Sequence, residues 1–181
     1  MRKWLIASDL HGSADACRAL LDAYAREGAE RLVLLGDVLY HGPRNDLPKG
    51  YAPKEVIALL SAHKDRILAV RGNCDTEVDQ MVLPFPILAD YAVLTAGDRL
   101  VYLTHGHKYH PSALPPLRTG DILLTGHTHV VKKELYPTFV YLNPGSVSIP
   151  KEGTAPSYIL LLGDTFIFKT LSGEEYDRFE A

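Results

Sequence analysis

Ile122-Leu123-Leu124-Thr125-Gly126-His127-Thr128-His129 is an apolar run that stops on a glycine and two histidines one residue apart. In an extended backbone, residues i and i+2 share a face and sit about 6–7 Å apart. Two imidazoles so placed can serve one metal ion or two neighbouring ions. They cannot complete a site alone, so the remaining ligands must come from elsewhere in the chain.

Four other stretches share this grammar of apolar strand, sharp stop and metal-competent side chain. They are Asp9-Leu10-His11, Gly36-Asp37, Gly72-Asn73 and Thr104-His105-Gly106. The donors are oxygen and imidazole, a set that suits Mn²⁺, Fe or Zn²⁺ better than a soft metal or Ca²⁺. Asp9, His11, Asp37, Asn73, His105, His127 and His129 exceed the four ligands of a structural zinc. They suit two ions about 3.5–4 Å apart that share a carboxylate and a hydroxide. Glycines beside Asp37, Asn73, His105 and His127 would let the backbone turn sharply there. Capping of strand ends is the plain reading of any one stretch, but it does not account for five of them.

The periodicity around these stops predicts an α/β fold. Lys3–Ser8, Arg31–Leu35 and Ile67–Val70 read as strands. Helices over Ala14–Glu27 and Lys54–His63 alternate with them, the first closed by Gly28, the second opened by Pro53. This pattern implies a parallel sheet with its site along one edge. Val38–Ala52 is a Gly- and Pro-containing loop long enough to be functional. The second half reads as strands over Ile87–Thr95, Arg99–Thr104 and Ile122–Thr125, then hairpins Lys132–Tyr136/Thr138–Leu142 and Tyr158–Leu162/Thr165–Thr170. Pro111–Gly120 reads as a proline-rich connection with room for a short helix, and Asn143-Pro144-Gly145-Ser146 as a turn.

The 181 residues suit a single domain, 1–181, with a sizeable core. A formal net charge of -3 offers no basic excess for gripping a nucleic-acid backbone or a membrane surface. Two cysteines make no disulfide framework. No apolar run approaches the roughly 20 residues that span a bilayer, and the N-terminal run is short for a signal peptide. A cytoplasmic location is the resulting expectation.

Taken in order, Asp-x-His, Gly-Asp, Gly-Asn, His and Gly-His-x-His resemble the metallophosphoesterase (calcineurin-like) superfamily from Asp9 to His129. Ser8-Asp9-Leu10-His11-Gly12, Arg71-Gly72-Asn73-Cys74-Asp75 and Asn143-Pro144-Gly145-Ser146 narrow the likeness to its small phosphodiesterases. The resemblance implies a four-layer α/β/β/α sandwich, two mixed sheets flanked by helices. It implies a dinuclear site in which Asp9, His11 and His129 hold one ion and Asn73, His105 and His127 the other, with Asp37 bridging. It further implies two divalent cofactor ions, Mn²⁺ before Fe or Zn²⁺, a metal-bridging hydroxide as nucleophile and a small phosphodiester substrate.

One departure stands out. Where the superfamily usually follows Gly-Asn with His, this chain has Cys74, then Asp75. The resemblance implies that this His would contact the phosphate and help protonate the leaving oxygen. A thiol of ordinary pKa about 8.5 is a poor replacement. Activated, aryl-type leaving groups are therefore expected to be favoured. Asn73, Cys74 and Asp75 are the catalytic candidates, Asp75 as an orienting group. His41 and Arg44 join Asn73 and Cys74 as candidate substrate contacts, while His107 and His110 line the cleft or face solvent. The competing reading is a catalytically weak protein-binding scaffold on the same fold, like the retromer subunit that resembles this family. Long nucleic acid is not an expected partner. Exposed hairpins in the second half could pair between two copies.

Overall fold

The computed structural model describes residues 2–181. Its first sheet has six strands in the order β11-β10-β9-β1-β2-β3. β1 (Lys3–Ala7), β2 (Arg31–Leu34) and β3 (Ile67–Ala69) run parallel. Antiparallel to β1 lies β9 (Ser157–Leu162), followed outward by β10 (Thr165–Thr170) and β11 (Glu175–Glu180). The second sheet has five strands in the order β4-β5-β6-β8-β7. β5 (Arg99–Thr104), β6 (Ile122–Leu124) and β8 (Val140–Pro144) are parallel at its centre. β4 (Tyr91–Ala96) and β7 (Val131–Leu135) pair antiparallel at the two edges.

Side chains alternate across each strand, and here both faces find apolar partners. Leu5, Ala7, Leu32, Leu34 and Leu160 face helices α1 (Ala14–Glu27) and α2 (Pro53–Ser61). Ile6, Val33, Ile159 and Leu161 face the other way, against Val101, Leu103, Ile122, Leu124 and Leu142 of the second sheet. Each fully buried Leu or Ile contributes about 1.5–3 kcal/mol. This explains why the strands read as unbroken apolar runs. The result is two mixed sheets face to face, flanked by few helices. α1 and α2 cover the first sheet. The outer face of the second is covered by the loop after β5, through Tyr109 and Leu117 packed on Tyr102, Leu123 and Tyr141.

Local signals account for the helix ends. Ser13 caps α1 by accepting from the Ala16 N–H at 3.1 Å, and Gly28 ends it at φ 60°. Three expectations needed correction. The strand predicted from Ile87 begins at Tyr91, because Phe85 and Ile87 pack under the first sheet's helices instead. Asn143 and Pro144 end strand β8 rather than forming the turn, which starts at Gly145. Pro111–Gly120 contains no helix. The sequence reading also passed over α3 (Glu77–Val82) and β11: α3 has no buried residue, and β11 is mostly charged. Among the described residues, no helix is long and apolar enough to cross a membrane.

Candidate metal centre and active site

β1, β2 and β3 of one sheet and β5 and β6 of the other end on the same side of the sandwich. Their following residues carry the predicted donors to one place. The first cluster is Asp9, His11 and His129. Asp9 Oδ1 lies 3.3 Å from His129 Nε2 and 3.5 Å from His11 Nε2, and the two Nε2 atoms are 3.2 Å apart. The second cluster is Asp37, His105 and His127. His105 Nε2 lies 3.3 Å from Asp37 Oδ2, 3.2 Å from His127 Nδ1 and 3.1 Å from Asn73 Oδ1. Asp37 Oδ2 is also 3.7 Å from His11 Nε2, so one carboxylate oxygen faces both clusters.

The outer atoms of these side chains are already committed. His11 Nδ1 donates to the Tyr40 carbonyl at 2.8 Å, His105 Nδ1 to Leu35 at 2.7 Å and His129 Nδ1 to Ile149 at 2.9 Å. Each bond fixes the tautomer and leaves an Nε2 lone pair pointing inward. Asp9 Oδ2 accepts from the His127 N–H at 3.0 Å, and Asp37 Oδ1 from the Cys74 N–H at 2.8 Å. Asp9 Oδ1 is buried without a hydrogen-bond partner among the described residues. Lone pairs about 3.3 Å apart repel unless something positive sits between them. Metal–ligand bonds of about 2.1 Å separate neighbouring donors by about 3.0 Å in an octahedron and about 3.4 Å in a tetrahedron. The observed spacings fall in that range, so the donors fit divalent ions.

Without an ion, protons take up part of this role. Burial opposes charge on His105, but its contact with Asp37 and the Asp9 and Asp37 charges raise it to about 9. Burial likewise works against the Asp9 carboxylate, yet His11 and His129 hold it well below its ordinary value.

The backbone here is strained. Asp9, His11, Asp37, His127 and His129 all have positive φ, from 47° to 67°. The stretch Gly126–His129 is therefore not extended, contrary to expectation. Left-handed turns, rather than strand alternation, aim His127 at one cluster and His129 at the other. Such a conformation costs about 1–3 kcal/mol per non-glycine residue and persists only where surroundings enforce it. Asn143 and Ser146 do the enforcing. Asn143 Nδ2 donates to the Gly126 carbonyl at 2.7 Å, while Ser146 Oγ and Ser148 Oγ each donate to the Asp9 carbonyl at 2.8 Å. The Asn-Pro-Gly-Ser run was visible in the sequence, but its partners were not.

Asp75 has no face on the cleft. It is 1% exposed and accepts from the Asp37, Val38 and Gly72 N–H groups at 2.7–2.9 Å. It is thus a positioning residue that ties the Asp37 turn to the Asn73 turn. Burial raises its pKa, against the lowering by these donors. Cys74 does reach the cleft, with Sγ near His11 and Asp37. Burial and the Asp37 charge push this thiol up to about 12. His41 does not line the cleft. Its ring packs edge-on against Tyr40 and Tyr51 at 4.7 and 5.3 Å. Arg44 does line it, as does its loop neighbour Asn45, a candidate on the same sequence grounds; Thr128 and Lys151 line it too, and the sequence reading missed their place there. The cleft holds about 360 Å³.

A family model, the calcineurin-like phosphoesterase superfamily domain, matches residues 2–165. The chain belongs to the calcineurin-like phosphoesterase superfamily. This calcineurin-like chain is 49% identical to phosphodiesterase YfcE of Escherichia coli over 91% of its own length and 89% of that protein. The solved structure of the E. coli phosphoesterase YfcE superposes with a TM-score of 0.94 at 45% identity, covering 98% of both chains. Vps29 of Entamoeba histolytica, solved with Zn²⁺, shares the fold at a TM-score of 0.60 and 20% identity over 98% of both chains. Calcineurin-like phosphoesterases are hydrolases that use divalent metals, and the chain is an enzyme of that class.

Proposed function

We propose that the protein is a divalent-metal-dependent phosphodiesterase acting on small diesters through a dinuclear site. The observation that carries this is Asp37 Oδ2, which faces both three-residue clusters at 3.3 and 3.7 Å. Asp9, His11 and His129 would hold one ion; Asn73, His105 and His127 the other; Asp37 both. Two such ions, when bound, acidify a shared water and neutralise phosphate charge. The oxygen and imidazole donors suit Mn²⁺, with Fe or Zn²⁺ also compatible. The diester preference draws on the similarity to YfcE.

The chain's own residues then divide the work. Arg44 and Lys151 stand at the cleft, and among the described residues neither forms an ion pair, so both are free to meet phosphate oxygens. Asn73 Nδ2 donates to Cys74 Sγ at 3.3 Å. A thiol held near 12 yields its proton poorly, which leaves leaving-group departure largely unassisted and favours aryl diesters. The scaffold reading finds less support: Vps29 shares only the fold at this identity, whereas the complete donor set is converged here. Exposed Tyr91 and Val93 on one edge strand of the second sheet, or Leu135 and Tyr136 at the opposite edge, would offer a place for a second copy.

The test is hydrolysis of bis(4-nitrophenyl) phosphate beside 4-nitrophenyl phosphate, with and without Mn²⁺. Wild type should cleave the diester only with metal, and Asp37→Asn should lose at least about a hundredfold. No metal-dependent turnover in the wild type would end the reading.

A further inference from the structure

A second cavity, of about 510 Å³, lies on the far side of His127 and Thr128 from the metal cleft. Those two residues line both cavities, so they form the wall between them. The two chambers differ in character. The first carries the cations Arg44 and Lys151, neither ion-paired among the described residues. The second is lined by Gly106, His107, Pro111, Val130 and Tyr141, with His110 and Ser112 at one side. Its charges, Lys132 and Glu152, are of opposite sign, and Lys132 lies 3.7 Å from Glu134. A phosphate has no reason to prefer this second chamber; a neutral, flat organic group does.

Its polar atoms sit where an aromatic ring presents edges and faces. His107 Nδ1 is buried with no hydrogen-bond partner among the described residues. The His107 ring is 5.4 Å from the His105 ring and 6.3 Å from the His127 ring, so the chamber begins directly behind the metal-facing imidazoles. His110 Nδ1 accepts from the Ser112 N–H at 3.3 Å, which leaves its Nε2–H to donate outward. The volume lies in the range of sites that hold small organic ligands.

We infer that this chamber binds the retained arm of the diester, and that the arm is aromatic, an aryl ring or a nucleobase. The inference rests on the phosphodiesterase reading above. A diester differs from a monoester in that a second organic arm must go somewhere. Cys74, which stands by the departing oxygen in that reading, lines only the first cleft, as does Arg44, which meets the phosphate. The arm that stays on phosphorus is therefore the one that passes over His127 and Thr128. His107 and Tyr141 supply ring surface, and His107 Nδ1 and His110 Nε2 supply hydrogen bonds to its edge.

The experiment compares bis(4-nitrophenyl) phosphate with methyl 4-nitrophenyl phosphate, both with Mn²⁺. The leaving group is the same, so only the retained arm differs. Wild type should show a kcat/KM about tenfold higher for the bis-aryl diester, carried mainly by KM. Ser112→Trp, an exposed loop position at the chamber rim, should shrink that ratio toward one by filling the space. His110→Ala should reduce it in part, and serves if Ser112→Trp does not fold. Equal kcat/KM for the two diesters in wild type overturns the inference while leaving the phosphodiesterase intact. So does a ratio that neither variant changes. Turnover of neither diester removes the underlying reading and the inference with it.

Discussion

Cys74 is the residue on which the proposed preference for activated leaving groups turns. It sits beside Asn73 in the cleft, and a Cβ on Gly42 would come within 3.2 Å of its sulfur, so glycine at 42 leaves the sulfur its room. Replacing it with His supplies an acid of ordinary pKa about 6.5 where the thiol stands near 12. Cys74→His should raise kcat on alkyl diesters about tenfold or more relative to aryl diesters, read from a leaving-group series. A parallel shift of both classes would show that departure of the leaving group is not what limits this enzyme. His105 makes the complementary case for pH. In chelator-treated protein its folded pKa of about 9 exceeds its ordinary 6.5. Its proton-linked stabilisation is complete below about pH 6.5, declines as pH rises and is gone above about 9. Thermal unfolding of the metal-free protein should show that decline, and His105→Gln should flatten it. Because an entering ion expels that proton, Mn²⁺ affinity should climb across the same window.

At the level of elements, the turns after the strands do more than the strands themselves. Gly36 and Gly106 have positive φ, as expected of glycines at sharp stops. Gly72 and Gly126 do not; they are required by close approach. A Cβ on Gly72 would lie 2.1 Å from Asp37 Oδ1, and one on Gly126 would lie 1.8 Å from Ser8 Oγ. The turn after β3 therefore packs against the turn after β2 with no room for a methyl group, and Asp75 locks the pair through three backbone N–H groups. Gly72→Ala should push the Asp37 carboxylate out of its shared position. Mn²⁺ affinity, followed by titration calorimetry, should fall about 10–100-fold, with secondary structure unchanged by circular dichroism. Unaltered affinity would mean the turns can yield without moving Asp37.

For the whole molecule, the site belongs to neither sheet alone. Asp9, Asp37 and Asn73 follow strands of the first sheet, while His105 and His127 follow strands of the second. His105 Nδ1 reaches back across to the Leu35 carbonyl. An ion bound among them therefore clamps the sandwich at its edge. At a free Mn²⁺ concentration of 100 times Kd, the gain is about 2.7 kcal/mol. In a chain of this size that raises Tm by about 5–10 °C. Differential scanning calorimetry should register the rise in wild type and not in Asp37→Asn. An equal rise in both would place the ion somewhere other than this site.

Much of this was legible in the chain because chemistry and periodicity coincide. An apolar strand buried on both faces must end abruptly when a charged donor follows, so each donor announced both its strand and its place at the edge. The ordered set from Asp9 to His129 thereby pointed to the α/β class, the donor residues that converge at the site and the family. α3 and β11 escaped because neither buries an apolar stripe, and periodicity detects only burial. His41 looked like a substrate contact because its loop is polar, but packing between Tyr40 and Tyr51 turned it away. Asp75 was expected as an orienting group, and its place after Cys74 gave no hint that what it orients is backbone: three N–H groups hold it beneath the cleft. For His127 and His129, the i, i+2 spacing placed both at the site, but an extended chain would have aimed them along one face. Only the tertiary structure decided where they point, because Asn143 and the packing of Gly126 on Ser8 enforce left-handed turns that residue identity disfavours.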